Sequence, residues 1–160
     1  VAEMTIKALN DVGKVIKGSK VLIMGLTYKG NVADTRETPA KDIIKELKGY
    51  GVEIFGYEPL LDDIEDEFGI KPYDLRLLTS DYRLSTNDSH ITHYPSPITH
   101  HSSPITPVDA IILAVAHAVF EEITLDELSS IMNTSPILID VRGLFDPQEA
   151  SRKGIRYRGL

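Results

Sequence analysis

The spacing of apolar residues changes along the chain, and each change marks an element. Val1, Met4, Ala8, Leu9, Val12, Val15 and Ile16 recur at helical spacing, and Gly18 follows them, so a helix is expected over 1–18. Val21 to Met24 is a continuous apolar run, as found in a central parallel strand buried on both faces. Thr38 and Pro39 suit the N-cap and first turn of a second helix, with Ile43, Ile44 and Leu47 as its buried stripe and Gly49 or Gly51 as its stop. Further strands are expected in "VEIFGYEP", from Asp109 to Ala116 and in "PILIDVRG", with a minor strand in "IKPYDL" and an edge strand in "IRYRGL". Helices are expected from Asp62 to Phe68, near Leu125 to Met132 and from about Pro147 to Lys153. Strands alternating with helices through short Gly-rich links predict an α/β chain. Its fold class is a Rossmann-like doubly wound parallel sheet, three layers α/β/α, preceded by an N-terminal helix.

One segment breaks this rhythm. Residues 85–107 hold four of the nine prolines and four of the five histidines, and repeat at seven residues as "SHITHYP", "SPITHHS" and "SPITP". His90, His93, His100 and His101 are conceivable imidazole ligands for a metal. The plainer reading is a low-complexity insert outside the fold, because so proline-rich a unit cannot complete a strand ladder or helical turns. That reading predicts a mobile, dispensable tract.

The link between the first sheet strand and the second helix, "GLTYKGNVADTRETP", is longer than the two to six residues such turns usually need. It begins at Gly25, and in a doubly wound sheet the residues beyond the carboxyl ends of the strands overhang the ligand crevice. A phosphate loop is absent, since Asn31 and Val32 stand where Lys and Ser or Thr are required, and there is no GxGxxG turn. Glu58 therefore has no dinucleotide fingerprint to complete and reads as an ordinary surface carboxylate. What the turn supplies is side chains: Lys29 and Arg36 could each hold an anionic group. Arg142, just past a central strand, falls on the same rim. Its alternatives are a ligand or a structural ion pair with Asp140 or Asp34. His117 also lies there, and a lone histidine is most simply a satisfied polar residue.

Composition narrows the partners. The formal charge of −7 argues against a nucleic-acid or membrane-surface binder, because phosphate backbones and anionic lipids reward a basic face. Cys is absent, which removes disulfides, thiolate zinc sites and a cysteine nucleophile. No apolar run reaches the ~18 residues of a membrane span, and a cytoplasmic location is the default expectation. The chain starts at Val1 rather than Met, so it is expected to be a piece of something longer.

"GLTYKGNVADTRETPAKDIIKEL", followed by "DVRGLFD" and "YRGL", resembles the C-terminal, UDP-sugar-binding domain of the UDP-glucose/GDP-mannose dehydrogenase family. The Tyr-Lys-Gly-Asn turn and Asp-Val-Arg-Gly ending look most like the UDP-N-acetylmannosamine dehydrogenases within it. "KALNDVGKVIKGSKVLIMG" similarly resembles the helix leading from that family's central domain into its last one. The resemblance implies a division into a linker helix, 1–18, and a nucleotide-sugar-binding domain, 19–160. It implies that Tyr28, Lys29 and Arg142 bind the UDP-sugar, that Arg36 reaches toward NAD held mainly by an amino-terminal domain, and that Asp34 and Glu37 orient the cations. Family members oxidise the sugar C6 alcohol to a carboxylate in two NAD-dependent steps. The catalytic Cys and Lys of that scheme belong to the central domain, so the resemblance implies no catalytic residue in this chain, no metal site, and binding without turnover in isolation. The implied partners are a UDP-sugar and the family's other domains, in a homo-oligomer when full-length. Lys29 and Arg142 are then expected to converge, as tips of neighbouring strands, on one oxyanion-sized gap. The alternatives are a free-standing nucleotide-binding or regulatory module, or a metal-binding protein built on the His tract.

Overall fold

The computed structural model describes residues 1–75 and 105–160. The described strands form one parallel sheet in the order β3-β2-β1-β4-β5-β6. They are β1 (Lys20–Met24), β2 (Glu53–Tyr57), β3 (Lys71–Pro72), β4 (Val108–Leu113), β5 (Met132–Asp140) and β6 (Arg156–Gly159). Strand order reverses between β1 and β4, because the chain runs outward from β1 through β2 to one edge and from β4 through β5 to the other. This is the doubly wound, Rossmann-like arrangement, and its ligand crevice opens beyond the carboxyl ends of β1 and β4.

Side chains of successive strand residues point to opposite faces, and two cores result. Val21, Ile23, Ala110, Ile112, Ile137 and Ile139 pack under α1 (Ala2–Asp11), α2 (Pro39–Gly49) and α3 (Ile64–Phe68). Leu22, Met24, Ile111, Leu113 and Leu138 pack under α4 (Leu125–Ser130), α5 (Pro147–Arg152) and a short 3-10 segment, Ala118–Glu122. Each such fully buried aliphatic side chain contributes about 1.5–3 kcal/mol. Helix α2 starts where the sequence predicts: the Thr38 hydroxyl accepts from the Ala40 amide and Pro39 takes the first turn, where its missing N–H leaves no gap in the helix.

Several expected boundaries move. The N-terminal helix ends at Asp11, not near residue 18, because Gly13 turns the chain with a left-handed φ of 72°. Its apolar stripe is covered within this chain, with Ala2, Ala8 and Leu9 buried in the first core. Lys14 then ties the chain to the sheet through a 2.9 Å ion pair with Asp109. Burial opposes the Asp109 charge, yet the Lys20 amide, the Lys14 ammonium and Asn133 together hold its carboxyl below the ordinary value. Strand β4 ends at Leu113, since Ala114 and Val115 turn back to the Met24 carbonyl. Strand β5 begins four residues before Pro136, its register with β4 shifting between Val108 and Ala110. Most of the Pro- and His-rich tract, 85–104, lies outside the described residues.

Candidate functional site

The long turn from Gly25 to Thr38 lies across the end of β4, and two glycines permit the approach. At Gly25, with φ 81°, a Cβ would collide with the Val115 carbonyl; at Gly30 it would collide with the Ala116 carbonyl. Tyr28 and Lys29, between them, are exposed above the crevice. The turn also folds on itself, the Tyr28 amide donating to the Asp34 carbonyl at 2.7 Å.

Beneath it sits a buried polar network that the sequence reading missed. Glu58 is only 3 % exposed, so it is not a surface carboxylate. Its Oε2 accepts from the Leu26 amide at 2.7 Å and the Thr27 amide at 3.3 Å, and Oε1 accepts from the Leu60 amide at 3.1 Å. His117 Nε2 lies 3.0 Å from the same Oε2 and 3.3 Å from Thr27 Oγ1. On the other side of the ring, Nδ1 accepts the Asn31 amide at 2.9 Å. The satisfied-histidine reading of His117 agrees with this environment. The signal for Glu58 was available: a βα turn without a bound phosphate leaves amides that some acceptor must satisfy, and Glu58 is the acid at the end of the adjacent strand.

Arg36 and Asp34 form a two-pronged pair, Nε to Oδ1 at 3.0 Å and a terminal guanidinium nitrogen to Oδ2 at 2.8 Å. The Arg36 guanidinium, with its backbone amide, holds the Asp34 carboxyl at about 2. Because that value lies below the ordinary 3.8, the pair's contribution is fully present above pH 3.8 and is lost as pH falls through about 2. NMR titration of the Asp34 carboxyl carbon should give a midpoint near 2; an ordinary midpoint would show that the fork does not persist in solution.

Arg142 follows β5, and β4 lies between β5 and β1. Lys29 and Arg142 are therefore not tips of neighbouring strands, as the sequence reading had expected; what they share is the chain segment after β4. Arg142 Nε donates to the Ala114 carbonyl at 3.2 Å, two residues before the carbonyl under Gly30. The ion-pair alternative also fails among the described residues. Asp140, fully buried, accepts from the backbone amides of Arg142, Gly143 and Phe145 and from the Tyr157 hydroxyl. Asp34 is committed to Arg36. The Arg142 guanidinium thus remains on the rim without a carboxylate partner among the described residues.

A family model for the UDP binding domain of the UDP-glucose/GDP-mannose dehydrogenase family matches residues 22–147. The chain belongs to this family. A UDP-glucose 6-dehydrogenase of Rhizobium meliloti is 25% identical over 162 aligned residues, 96% of this chain and 30% of the relative. A UDP-N-acetyl-D-mannosamine dehydrogenase of Methanococcus aeolicus is 46% identical over 65 residues, 41% of this chain and 14% of the relative. Among solved structures, an NDP-N-acetyl-D-galactosaminuronic acid dehydrogenase from Methanosarcina mazei Go1 superimposes with a TM-score of 0.71 at 20% identity, covering 99% of this chain and 28% of the other. That likeness concerns the fold. The chain spans less than a third of the length of these relatives.

As a member of a dehydrogenase family the domain invites comparison with a dinucleotide site, and its first βα turn does not fit one. The amides that a pyrophosphate would use, those of Leu26 and Thr27, already donate to Glu58, and the turn carries no glycine fingerprint. Among the described residues there is no group of three or more His, Cys, Asp or Glu side chains that could hold a metal ion. The four histidines of the Pro-rich tract lie outside them. No helix among the described residues is long and apolar enough to cross a membrane.

Proposed function

We propose that this chain is the nucleotide-sugar-binding domain of an NAD-dependent UDP-sugar 6-dehydrogenase, with residues 1–18 leading in from a central domain and 19–160 forming the binding domain. The observation that carries the reading is the cation pair around the post-β4 segment: Lys29 on a turn seated against Ala116, and Arg142 tied to Ala114 with no carboxylate partner among the described residues. Two cations flanking a crevice at a strand-order reversal suit a ligand with separated anionic groups, as a nucleoside diphosphate has.

In this reading Tyr28 covers the ligand, Lys29 meets its anionic and polar oxygens, and Arg142 reaches it from the β5 side. Arg36, exposed and steadied by Asp34, faces NAD held by a domain outside this chain. No described residue is assigned to the chemistry, so the domain binds without turning substrate over. The substrate is UDP-N-acetylmannosamine, supported by the Tyr-Lys-Gly-Asn turn and the Asp-Val-Arg-Gly strand end, and the full-length enzyme is a cytoplasmic homo-oligomer. For the isolated domain, about 0.3 kcal/mol for each of roughly 25 heavy atoms of UDP sets an upper limit near 7 kcal/mol, low micromolar at best.

In the parent dehydrogenase, Lys29→Ala and Arg142→Ala are each expected to raise KM for the UDP-sugar. The loss of a charge-assisted hydrogen bond, about 1.5–3 kcal/mol, corresponds to about 10- to 150-fold. Arg36→Ala is expected to raise KM for NAD instead. Steady-state kinetics with each substrate varied tests the assignment, and unchanged constants in all three variants would end it.

A further inference from the structure

We propose that His117 is a positioning residue for the nucleotide-sugar turn, acting through its Nδ1 on the Asn31 amide, with Glu58 fixing the ring; this rests on the UDP-sugar reading above. The tautomer follows from the partners. A backbone N–H can only donate, so Nδ1 must present a lone pair to Asn31 at 2.9 Å, and the ring proton must sit on Nε2, facing Glu58 Oε2 at 3.0 Å. Thr27 Oγ1 stands 3.3 Å from the same nitrogen. Its own proton goes to the Lys29 carbonyl at 3.1 Å, leaving its lone pairs free to share the Nε2 proton.

Asn31 is held from two sides. Its amide donates to His117, its side-chain Oδ1 accepts the Ala118 amide at 3.0 Å, and its φ of 61° lies in the left-handed region that asparagine adopts more readily than most residues. Lys29 therefore lies between two fixed points, the Thr27 hydroxyl on its own carbonyl and the His117 clamp two residues on. The His117 ring is itself enclosed, 1 % exposed and set edge-on against Phe120 at 5.2 Å. The side chain that meets the ligand is exposed and flexible, whereas the backbone beneath it is anchored through β2 and the end of β4. Fixing that backbone limits the volume the ammonium can sample, and small displacements of such a group are costly to binding.

Two substitutions separate this role from a merely structural one. His117→Asn places an amide oxygen near the Nδ1 position, where it can accept from Asn31, but removes the donor to Glu58. His117→Gln does the reverse, reaching Glu58 with an amide donor while leaving Asn31 without an acceptor. Measured in the parent dehydrogenase by calorimetry with UDP, His117→Gln should weaken Kd roughly tenfold with little change in Tm. His117→Asn should melt earlier yet keep Kd within about threefold. Asn31→Gly, on the exposed side of the clamp, retains the amide and the positive φ, cannot unfold the core, and should weaken Kd about threefold or more. If affinity instead follows Tm, with the Asn variant the weaker binder, the role is structural and the proposal falls. It also falls if His117→Gln and Asn31→Gly bind UDP normally while Lys29→Ala does not, an outcome that leaves the function reading intact. Normal binding by Lys29→Ala overturns both.

Discussion

Glu58→Ala is expected to cost the domain about 3–5 kcal/mol of folding stability, because several buried donors lose their shared acceptor at once. Glu58 is 3 % exposed and its carboxylate is the acceptor for the Leu26, Thr27 and Leu60 amides and for the His117 ring. Alanine removes that acceptor from all four donors. An unsatisfied buried donor costs about 1–3 kcal/mol, and the Leu60 amide, in a part-buried bond, can recover some of this from water. Against a typical total of 5–15 kcal/mol, the loss takes a large share of what holds the fold. Urea unfolding should show a lower midpoint at an unchanged slope, because the surface exposed on unfolding is nearly the same. Glu58→Gln, which keeps one acceptor oxygen, should fall between the two. A loss below about 1 kcal/mol for Glu58→Ala would mean that the turn amides find other acceptors, contrary to the network described.

The difference between Glu58 and Met24 explains how far the sequence could be read. Met24 ends a run whose burial is dictated by its own neighbours, and such runs placed β1, β2, β4 and β5, while Thr38 with Pro39 placed the start of α2. Periodicity reports which face of an element is covered, and with the alternation of strands and helices it was enough for a parallel doubly wound sheet. Glu58 is buried because amides 32 and 31 positions away come to it, and nothing local to "GYEP" encodes that meeting. The same holds for His117, whose ring bridges Glu58, 59 positions away, and Asn31, 86 positions away. The sequence places His117 on the rim and reads Glu58 as a surface carboxylate; their joining depends on strand order, which seats β4 directly beside β1. Strand order likewise corrected the relation of Lys29 to Arg142. Helix α1 is shorter than its spacing suggests for a different reason: Val15 and Ile16 keep the helical spacing after Gly13 has turned the chain, but Ile16 packs on the first core from the non-helical link and Val15 is 78% exposed.

Asp140→Ala should destabilise the fold and disable Arg142 together. Asp140 is fully buried, and its two oxygens accept from the amides of Arg142 at 3.1 Å, Gly143 at 2.8 Å and Phe145 at 2.9 Å, and from the Tyr157 hydroxyl at 3.1 Å. It thereby shapes the turn that leaves β5, with Gly143 at a φ of 67°, and sets the angle from which Arg142 reaches the Ala114 carbonyl. Removing the carboxylate is expected to cost about 3–5 kcal/mol by urea unfolding, because three backbone amides and the Tyr157 hydroxyl lose their acceptor together. If the proposed function holds, KM for the UDP-sugar in the full-length protein should rise as far as it does in Arg142→Ala. Adding Arg142→Ala to Asp140→Ala should then change KM little further, since residues acting through one another are not additive. A second readout is independent of substrate. Burial, followed by the negative charge of Asp140, pushes the Tyr157 hydroxyl up to about 12; without that charge its midpoint should fall, while burial keeps it above the ordinary 10. Difference titration of tyrosinate absorbance between the two proteins measures the shift. If Tyr157 titrates lower while KM stays at the parent value, the carboxylate is where the structure places it but Arg142 does not depend on it. Full additivity of the two substitutions would lead to the same conclusion, whereas the expected lack of additivity makes Asp140 the support on which the β5 cation stands.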